Sequence, residues 1–170
     1  TGVSMGLRLI NARAETVRSK PAFRKILGVR RALIPADGWY EWQQSPVATD
    51  AKGKPRKQPF FISRADGHGL AFGGLYEFWR DPAAAPDDPL AWLTTFTIVT
   101  TAAEPGLDRI HDRQPLVVDP EDWSRWLDPD VGADDVLDLL AGQEPGRFTA
   151  YPITTAVNSS RNNGPALLDP

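Results

Sequence analysis

The sequence predicts an α+β domain built around a mainly antiparallel, curled, barrel-like β-sheet core with a few short helices. Runs rich in β-branched and aromatic residues recur along the chain, as in "TFTIVT" (residues 95–100). Helical patterns are few and short. Strand and helix do not alternate regularly, so a parallel, doubly wound sheet is not indicated.

Turn signals separate the predicted strands. "RALIPADGWYEWQ" (residues 31–43) predicts two strands joined by an Asp37-Gly38 turn. "PFFISRADGHGLAFGGLYEFW" (residues 59–79) predicts a hairpin around Asp66-Gly67. Two polar loops, residues 44–58 and 81–89, and a late strand, residues 148–153, complete the predicted strand region.

Three segments predict short helices. "SKPAFRKILG" (residues 19–28) has Ser19 at the N-cap, proline in the first turn and a terminal glycine. "DPEDWSRWL" (residues 119–127) begins with Asp119 as a candidate cap, and "GADDVLDLLAG" (residues 132–142) ends at a glycine.

Composition limits the classes of protein. The 170 residues suit one domain, taken as residues 1–170, with 41% hydrophobic residues and six Trp. No apolar run approaches the roughly 20 residues of a membrane span, and no secretory signal opens the chain. We therefore expect a cytoplasmic protein without membrane association. Absence of cysteine and only two histidines make zinc unlikely, and we expect no metal or cofactor.

Charge is distributed unevenly despite a net charge of −3. Residues 77–146 carry four arginines against sixteen acids, a net charge of −12. Residues 1–36 carry eight basic side chains against Glu15, a net charge of +7. This basic segment indicates either an anionic partner such as nucleic acid, or a solvated face with salt bridges to the acidic part.

The segment "RIHDRQPL" (residues 109–116) places a histidine beside charged residues. Imidazole titrates near neutral pH, so His111 can act as an acid or a base. Arg113 would share its face in an extended segment and could hold a phosphate. The alternative is a histidine that only serves a turn.

Glu41 lies in "DGWYEWQ" (residues 37–43), where strand alternation puts it on the face of Trp39. A carboxylate beside tryptophan is costly to bury, and desolvation would raise its pKa and suit it to acid–base work. The alternative is a surface strand with Glu41 facing water.

Weaker candidates lie in two further segments. In "INARAET" (residues 10–16), Asn11 and Arg13 would share one side of an extended chain, where they could orient a polar group and bind a phosphate. Thr100, at the end of a strand, could contact an anion or cap the next turn. Neither a Gly-x-Ser-x-Gly elbow nor a phosphate-binding glycine loop is present, so no attacking group is evident.

Six segments together resemble the SOS response-associated peptidase (SRAP) family over nearly all 170 residues. In chain order they are "INARAET", "ADGWYEW", "PFFI", "FTIVTTAAE", "IHDRQPLVV" and "NNGPALL". The resemblance implies the SRAP fold and a DNA-damage-response protein that binds abasic sites in single-stranded DNA. In this family an N-terminal cysteine, exposed by self-removal of the initiator Met, forms a thiazolidine crosslink with the sugar aldehyde.

The resemblance also assigns roles to individual residues. It implies catalytic roles for Asn11, Glu41 and His111, and DNA contacts for Arg13, Thr100 and Arg113. His111 would speed opening of the sugar ring, and Glu41 would carry protons to and from the attacking amine.

The family begins with Met-Cys-Gly-Arg and several dozen residues before its "NAR" motif, none of which precede Thr1 here. We expect these residues to be a C-terminal portion that needs the N-terminal segment as a partner and is inactive alone. We further expect a monomer, associated with the nucleoid when on DNA. The alternatives are a non-catalytic single-stranded-DNA binding module and a general peptidase.

Overall fold

The computed structural model describes residues 9–140 and 145–170. Strands predominate there and the helices are short, which confirms the α+β prediction. The strands are β1 (Asn11–Arg13), β2 (Arg31–Ala36), β3 (Trp39–Thr49), β4 (Pro55–Arg64), β5 (Leu70–Arg80), β6 (Trp92–Ala102), β7 (Arg113–Pro115) and β8 (Phe148–Pro152). The α-helices are α1 (Ala14–Val17), α2 (Trp123–Leu127) and α3 (Leu137–Leu140), and 3-10 helices span Pro120–Asp122, Thr155–Asn158 and Pro165–Leu168.

The described strands form two sheets. One has the order β1-β6-β5-β2, with β7 also paired to β6, and the other has the order β3-β4-β8. The β1–β6 pair is parallel, whereas the β5–β6, β3–β4 and β4–β8 pairs are antiparallel, in line with a mainly antiparallel core. Neither described strand order closes on itself, so the barrel-like curl stays a prediction.

The chain divides into two compact units. Unit 1 comprises the described parts of residues 1–35, 71–101 and 115–142, and unit 2 those of residues 36–70, 102–114 and 143–170.

Unit 1 is built on strand faces that alternate between the core and the opposite side. Ala12 of β1 and Val99 of β6 are buried at paired positions, and Leu75 of β5 is buried as well. Residues from α1, from the turns after it, from the segment after β7, from α2 and from the turn before α3 complete the cluster: Val17, Phe23, Ile26, Leu27, Leu116, Val118, Trp126 and Val136. The strand period of two thus sends every second side chain into one apolar core.

Arg31 is the buried charge of unit 1, at 6% exposure. Its guanidinium donates hydrogen bonds to five backbone carbonyls, those of Leu27, Gly28, Trp126, Asp128 and Val131. Burial lowers the pKa of Arg31, and the nearby Asp128 charge acts in the opposite direction. One side chain therefore satisfies carbonyls at the ends of two separate segments, which have few other donors in a dry interior.

The helix predicted for residues 19–28 is wrong. These residues form consecutive turns, in which the carbonyls of Lys20, Phe23 and Ile26 each accept two backbone N–H groups. The regular helix lies earlier, at α1. Pro21 lacks an N–H donor, and the bonds recur every three residues instead of forming a continuous ladder.

Unit 2 is built on the β3-β4-β8 sheet. Trp39 at the start of β3 meets Phe148 of β8 edge to face, with ring centroids 5.1 Å apart. On the other face, Phe61 contacts the rings of both Tyr40 and Tyr151. These aromatic contacts across neighbouring strands hold the sheet in one register.

The predicted hairpin over residues 59–79 is wrong in its pairing. The turn does form, with Gly67 at a φ of +75° and the Asp66 carboxylate accepting the N–H of His68 at 3.0 Å. However, β4 already has β3 and β8 on its two edges, so β5 pairs with β6 in the other sheet. A strand has only two edges, and here both edges of β4 are occupied.

The polar loop predicted for residues 44–58 is largely strand. β3 continues to Thr49 and β4 begins at Pro55, leaving a short turn in which Asp50 accepts the N–H groups of Lys52 and Lys54. Cross-strand backbone bonds support this exposed ribbon, so its polar side chains do not need a core. By contrast, the loop predicted for residues 81–89 and the strand predicted for residues 148–153 are confirmed.

The segment 119–127 is helical as predicted, beginning as a 3-10 turn and continuing as α2, but the Asp119 side chain makes no capping bond. In the last predicted helix, α3 covers Leu137–Leu140, and the stop at Gly142 lies outside the described residues. Within the described ranges, no helix is long and apolar enough to cross a membrane.

Replacing Arg31 tests its carbonyl bonds. We expect Arg31→Leu to lower the free energy of unfolding by more than about 3 kcal/mol, because each buried carbonyl left without a donor costs about 1–3 kcal/mol. Urea denaturation measures the loss. Arg24→Leu, at an exposed position in the turns of residues 19–28, is the control. Equal losses in the two variants would show that the carbonyl bonds of Arg31 do not add to the free energy of unfolding.

Candidate functional site

The parallel β1–β6 pairing places Asn11, Arg13 and Thr100 on one face of the sheet in unit 1. Asn11 pairs with Ile98 and Arg13 with Thr100, while Ala12 and Val99 between them point into the core. Residues in register on neighbouring strands share a face, so the amide, the guanidinium and the hydroxyl lie together on the side away from that core. The shared side expected for Asn11 and Arg13 is therefore confirmed, and both residues are exposed.

Part of the basic N-terminal charge is used within unit 1. Arg18 pairs with Asp134 at 2.7 Å, Arg30 pairs with Glu77, and Arg31 is buried. The alternative of salt bridges to the acidic part therefore accounts for some of these charges. Arg13 lies on the face just described and is exposed.

Glu41 lies in unit 2, half-buried on β3. It is in register with Phe60 of β4, which is buried, and it shares its face with the buried Trp39. The Glu41 carboxylate accepts the N–H of Trp42 at 3.2 Å. The aromatic surroundings that the sequence predicted for this carboxylate are thus present on the observed strand.

Gly38, directly before β3, is required because there is no room for a side chain at this position. A Cβ atom at Gly38 would lie 2.3 Å from the carbonyl oxygen of Ile62 and 2.6 Å from the Phe61 ring. Both neighbours belong to β4, which pairs with β3 at this point. The glycine of the motif therefore allows a close approach of two backbones. Residue 37 forms a bend, and the strands before and after it belong to different sheets.

His111 lies at the end of the histidine loop, defined as residues 103–112 between β6 and β7. The Ala103 N–H donates to the Asp112 carbonyl at 3.0 Å, which closes the base of the loop. Inside it, Leu107 and Ile110 are buried, at 6% and 5% exposure. The His111 side chain remains 43% exposed. The loop is thus anchored by apolar residues and presents its imidazole to solvent.

The imidazole of His111 has a defined hydrogen-bond partner on one nitrogen. The backbone N–H of Arg113 donates to Nδ1 at 3.0 Å. Because an N–H group can only donate, Nδ1 is the acceptor, and the neutral ring carries its proton on Nε2. The Arg113 carbonyl and the Asp112 carboxylate also lie near Nδ1, at 3.2 and 3.3 Å. The Nδ1 side of the ring is therefore held against residues 112 and 113.

Two contacts attach the histidine loop to the pair of strands β3 and β4, one to each strand. The Gln43 side-chain amide donates to the Arg109 carbonyl at 2.8 Å, and the Arg109 guanidinium lies 5.9 Å from the Phe60 ring centroid. Gln43 is two residues beyond Glu41 on the same face, and Arg109 is two residues before His111. Unit 2 therefore carries both predicted acid–base residues, on segments that a hydrogen bond joins.

Sequence reasoning missed Glu104 and Gln114, which are buried at 5% and 2% exposure. The Glu104 N–H donates to Oε1 of Gln114 at 2.9 Å, and the Glu104 carboxylate accepts the N–H of Gly146 at 3.0 Å. Desolvation raises the pKa of Glu104, although the bond from the Gly146 N–H and the charge of Arg147 act in the opposite direction. The signal available in the sequence was a lone acid directly after the strand run "FTIVTTAA".

Unit 2 thus presents a partly exposed histidine and a half-buried carboxylate on a strand-rich scaffold, and unit 1 carries a polar face that includes an arginine. Among residues 9–140 and 145–170, no three acidic or histidine side chains gather as around a metal ion. The chain matches the model of the SOS response associated peptidase (SRAP) family over residues 1–160 and belongs to that family.

Relatives of the chain include proteins named for abasic-site processing. Abasic site processing protein YoqW of Bacillus subtilis (strain 168) is 37% identical over 166 residues, which are 97% of this chain and 68% of that protein. YedK of Escherichia coli (strain K12) is 35% identical over 164 residues, covering 95% and 67%. HMCES of Rattus norvegicus is 30% identical over 187 residues, covering 94% and 49%.

The fold is similar to that of a crystal structure of a protein from Bacteroides thetaiotaomicron. The TM-score is 0.81 at 26% sequence identity, and the match covers 97% of this chain and 67% of that one. The chain thus spans about two thirds of the bacterial relatives and about half of the rat protein.

Gly38→Ala tests the close approach that positions Glu41. We expect it to lower the free energy of unfolding by about 1–3 kcal/mol, because the added Cβ displaces the β4 backbone. Thermal or urea unfolding measures the change. Gly69→Ala is the control, since its added Cβ meets nothing closer than the Ala36 carbonyl oxygen at 3.8 Å. A Gly38 variant as stable as the Gly69 variant would contradict the steric argument.

Proposed function

We propose that this protein is a DNA-damage-response enzyme that binds abasic sites in single-stranded DNA and forms a covalent crosslink with them. Membership of the SRAP family and relatives named as abasic site processing proteins support the proposal. The observation that carries the chemistry is the bond from the Arg113 N–H to Nδ1 of His111, which leaves Nε2 as the proton-carrying nitrogen.

His111 opens the sugar. An abasic deoxyribose is mostly a closed hemiacetal, and ring opening needs a proton on the ring oxygen as the bond from C1′ to that oxygen breaks. Nε2–H of His111 donates this proton, and the hydroxyl on C1′ loses its own proton to give the aldehyde. An imidazole has one nitrogen that donates a proton and one that accepts it, which suits it to this exchange.

Glu41 serves the attack on the aldehyde. An amine adds to the aldehyde carbon, the carbinolamine loses water to give an imine, and a thiol then adds across the C=N bond to close a thiazolidine. The amine must be unprotonated to attack, and water must leave protonated, so a carboxylate beside the reacting carbon accepts and returns one proton. Glu41 has this role in the proposal, with Asn11 orienting the amine or the sugar.

The attacking amine and thiol belong to an N-terminal cysteine, which the 170 residues do not contain. In the proposal it is supplied by a segment of the same protein outside these residues, and that segment is the partner of this C-terminal portion of a single SRAP domain. Removal of the initiator Met is the one peptide cleavage that we propose. In the proposal the protein acts as a monomer, uses no metal or cofactor, and works on DNA in the nucleoid.

One surface of unit 1 supports such a partner segment. Along β5 and β6, Phe78, Trp92 and Phe96 lie on one face and are exposed by 48%, 59% and 58%. Contiguous exposed aromatic surface is typical of a face that another element covers. The same face of β6 continues to Thr100, beside Arg13.

Phosphates of the DNA are held by arginines. Arg13 lies exposed beside Thr100 on one face of unit 1, and Arg113 begins β7 two residues after His111. A guanidinium pairs with two phosphate oxygens at once, and neutralising a phosphate makes binding depend on salt concentration. A local basic contact is sufficient although the whole chain is acidic.

His111→Ala and Glu41→Gln test the acid–base roles in the complete protein. We expect each to slow crosslinking to an abasic oligonucleotide by about 10²–10⁴-fold, the usual contribution of a positioned acid or base. Single-turnover gel assays measure the rate, and fluorescence anisotropy measures binding, which should be unchanged.

His68→Ala and Glu121→Gln, at exposed positions elsewhere, are the matched controls and should react at the unaltered rate. Unchanged rates for the His111 and Glu41 variants would refute the assigned roles. Binding that is salt-dependent but indifferent to the abasic site would instead identify a non-catalytic single-stranded-DNA binding module.

The 170-residue chain alone is expected to give no covalent adduct with abasic single-stranded DNA, because it lacks the thiol and its amine is that of Thr1. Denaturing electrophoresis and intact-mass measurement after incubation test this, with the complete protein as the positive control. A stable adduct of the mass expected for this chain plus DNA would show that the attacking group lies within these residues.

A further inference from the structure

We propose that Glu104 is a positioning residue for His111. It acts through the position of its buried carboxylate, which the length of the side chain sets, and not through its charge. The inference rests on the proposed role of His111 and concerns how unit 2 holds that side chain in place.

Glu104 organises the histidine loop through its backbone. Its carbonyl accepts the N–H groups of Leu107 and Asp108, at 3.0 and 3.2 Å, and its own N–H donates to the Gln114 side chain at 2.9 Å. The Leu107 carbonyl then accepts the N–H of His111 at 3.2 Å. The backbone of His111 is thus two hydrogen-bonded steps from Glu104.

The Glu104 side chain connects this loop to another part of unit 2. Its Oε1 accepts the N–H of Gly146 at 3.0 Å, in the turn that leads into β8, two residues before Phe148. Phe148 in turn contacts Trp39, which begins the strand of Glu41. One buried carboxylate therefore joins the loop of His111 to the sheet that carries Glu41.

The other attachment between the loop and this sheet is more exposed. The Gln43–Arg109 bond lies at an exposed position, where water competes with it, whereas the Glu104–Gly146 bond is partly buried and Glu104 itself is 5% exposed. Buried hydrogen bonds lack that competition and fix geometry more firmly. A carboxylate is also an expensive group to bury merely to fill space, and an apolar side chain would do so at lower cost.

Two conservative variants separate the effect of carboxylate position from the effect of charge. Glu104→Gln keeps the chain length and an oxygen that can accept the Gly146 N–H, but has no charge. Glu104→Asp keeps the charge but withdraws the carboxylate by one methylene. If position matters, the Asp variant of the complete protein crosslinks about tenfold or more slowly with unchanged DNA affinity, whereas the Gln variant stays within about threefold, since small misplacements of a catalytic group are costly.

The imidazole of His111 gives a readout independent of activity. Long-range ¹H–¹⁵N NMR spectra report which ring nitrogen carries the proton, and the exposed His68, the other histidine, is an internal reference whose ring lies 3.4 Å from the Asp66 carboxylate. The Nε2–H form of His111 should persist in Glu104→Gln and give way to mixed forms in Glu104→Asp, while His68 is unchanged in both.

The opposite pattern, a fast Asp variant and a slow Gln variant, would overturn the inference, as would an unaltered His111 spectrum and rate in both. If His111→Ala crosslinks at full rate while Glu104→Asp still alters the His111 spectrum, the positioning contact stands and the catalytic role of His111 fails.

Discussion

Strand β6 is the element on which the functional face of unit 1 depends, because both of its edges must find hydrogen-bond partners. β5 satisfies one edge antiparallel and β1 the other in parallel, with Arg13 beside Thr100. A slip of one residue in β1 would turn Asn11 and Arg13 into the core and Ala12 outward. The burial of Ala12 and Val99 makes such a slip unfavourable. The polar face of unit 1 is therefore a consequence of how its core packs.

Unit 2 solves a different problem, which is to hold an exposed imidazole on a loop. Apolar anchors at Leu107 and Ile110 fix the middle of the histidine loop, and backbone groups of Arg113 orient the ring. Hydrogen bonds are directional, so polar groups orient the ring, which apolar packing alone does not do. A ring held through Nδ1 has one nitrogen left for proton exchange, so the same bonds that order the loop also define its chemistry.

Local patterns predicted much of this site. Alternation along an extended chain correctly put Asn11 and Arg13 on one side, and Glu41 with Trp39 on one face of a strand.

The turn at Asp66-Gly67 was recognised from its residues, but the partner of the strand that follows was not. Pairing depends on which sheet edges remain open, a property of the whole fold, so β5 joined β6 and left β4 between β3 and β8. Residues 19–28 had helix-like ends, yet three-residue spacing of their hydrogen bonds gave turns instead.

By itself, the sequence determined the fold class, the family and the residue types available for acid–base chemistry and phosphate binding, because these follow from local alternation, composition and ordered motifs. Only the tertiary structure decided which nitrogen of His111 is held, which carbonyls Arg31 serves, and that Glu104 and Gln114 lie buried at the base of the histidine loop. These are contacts between segments distant along the chain. Their partners are selected by burial, where an unsatisfied polar group is most costly, and no periodicity in the sequence encodes them.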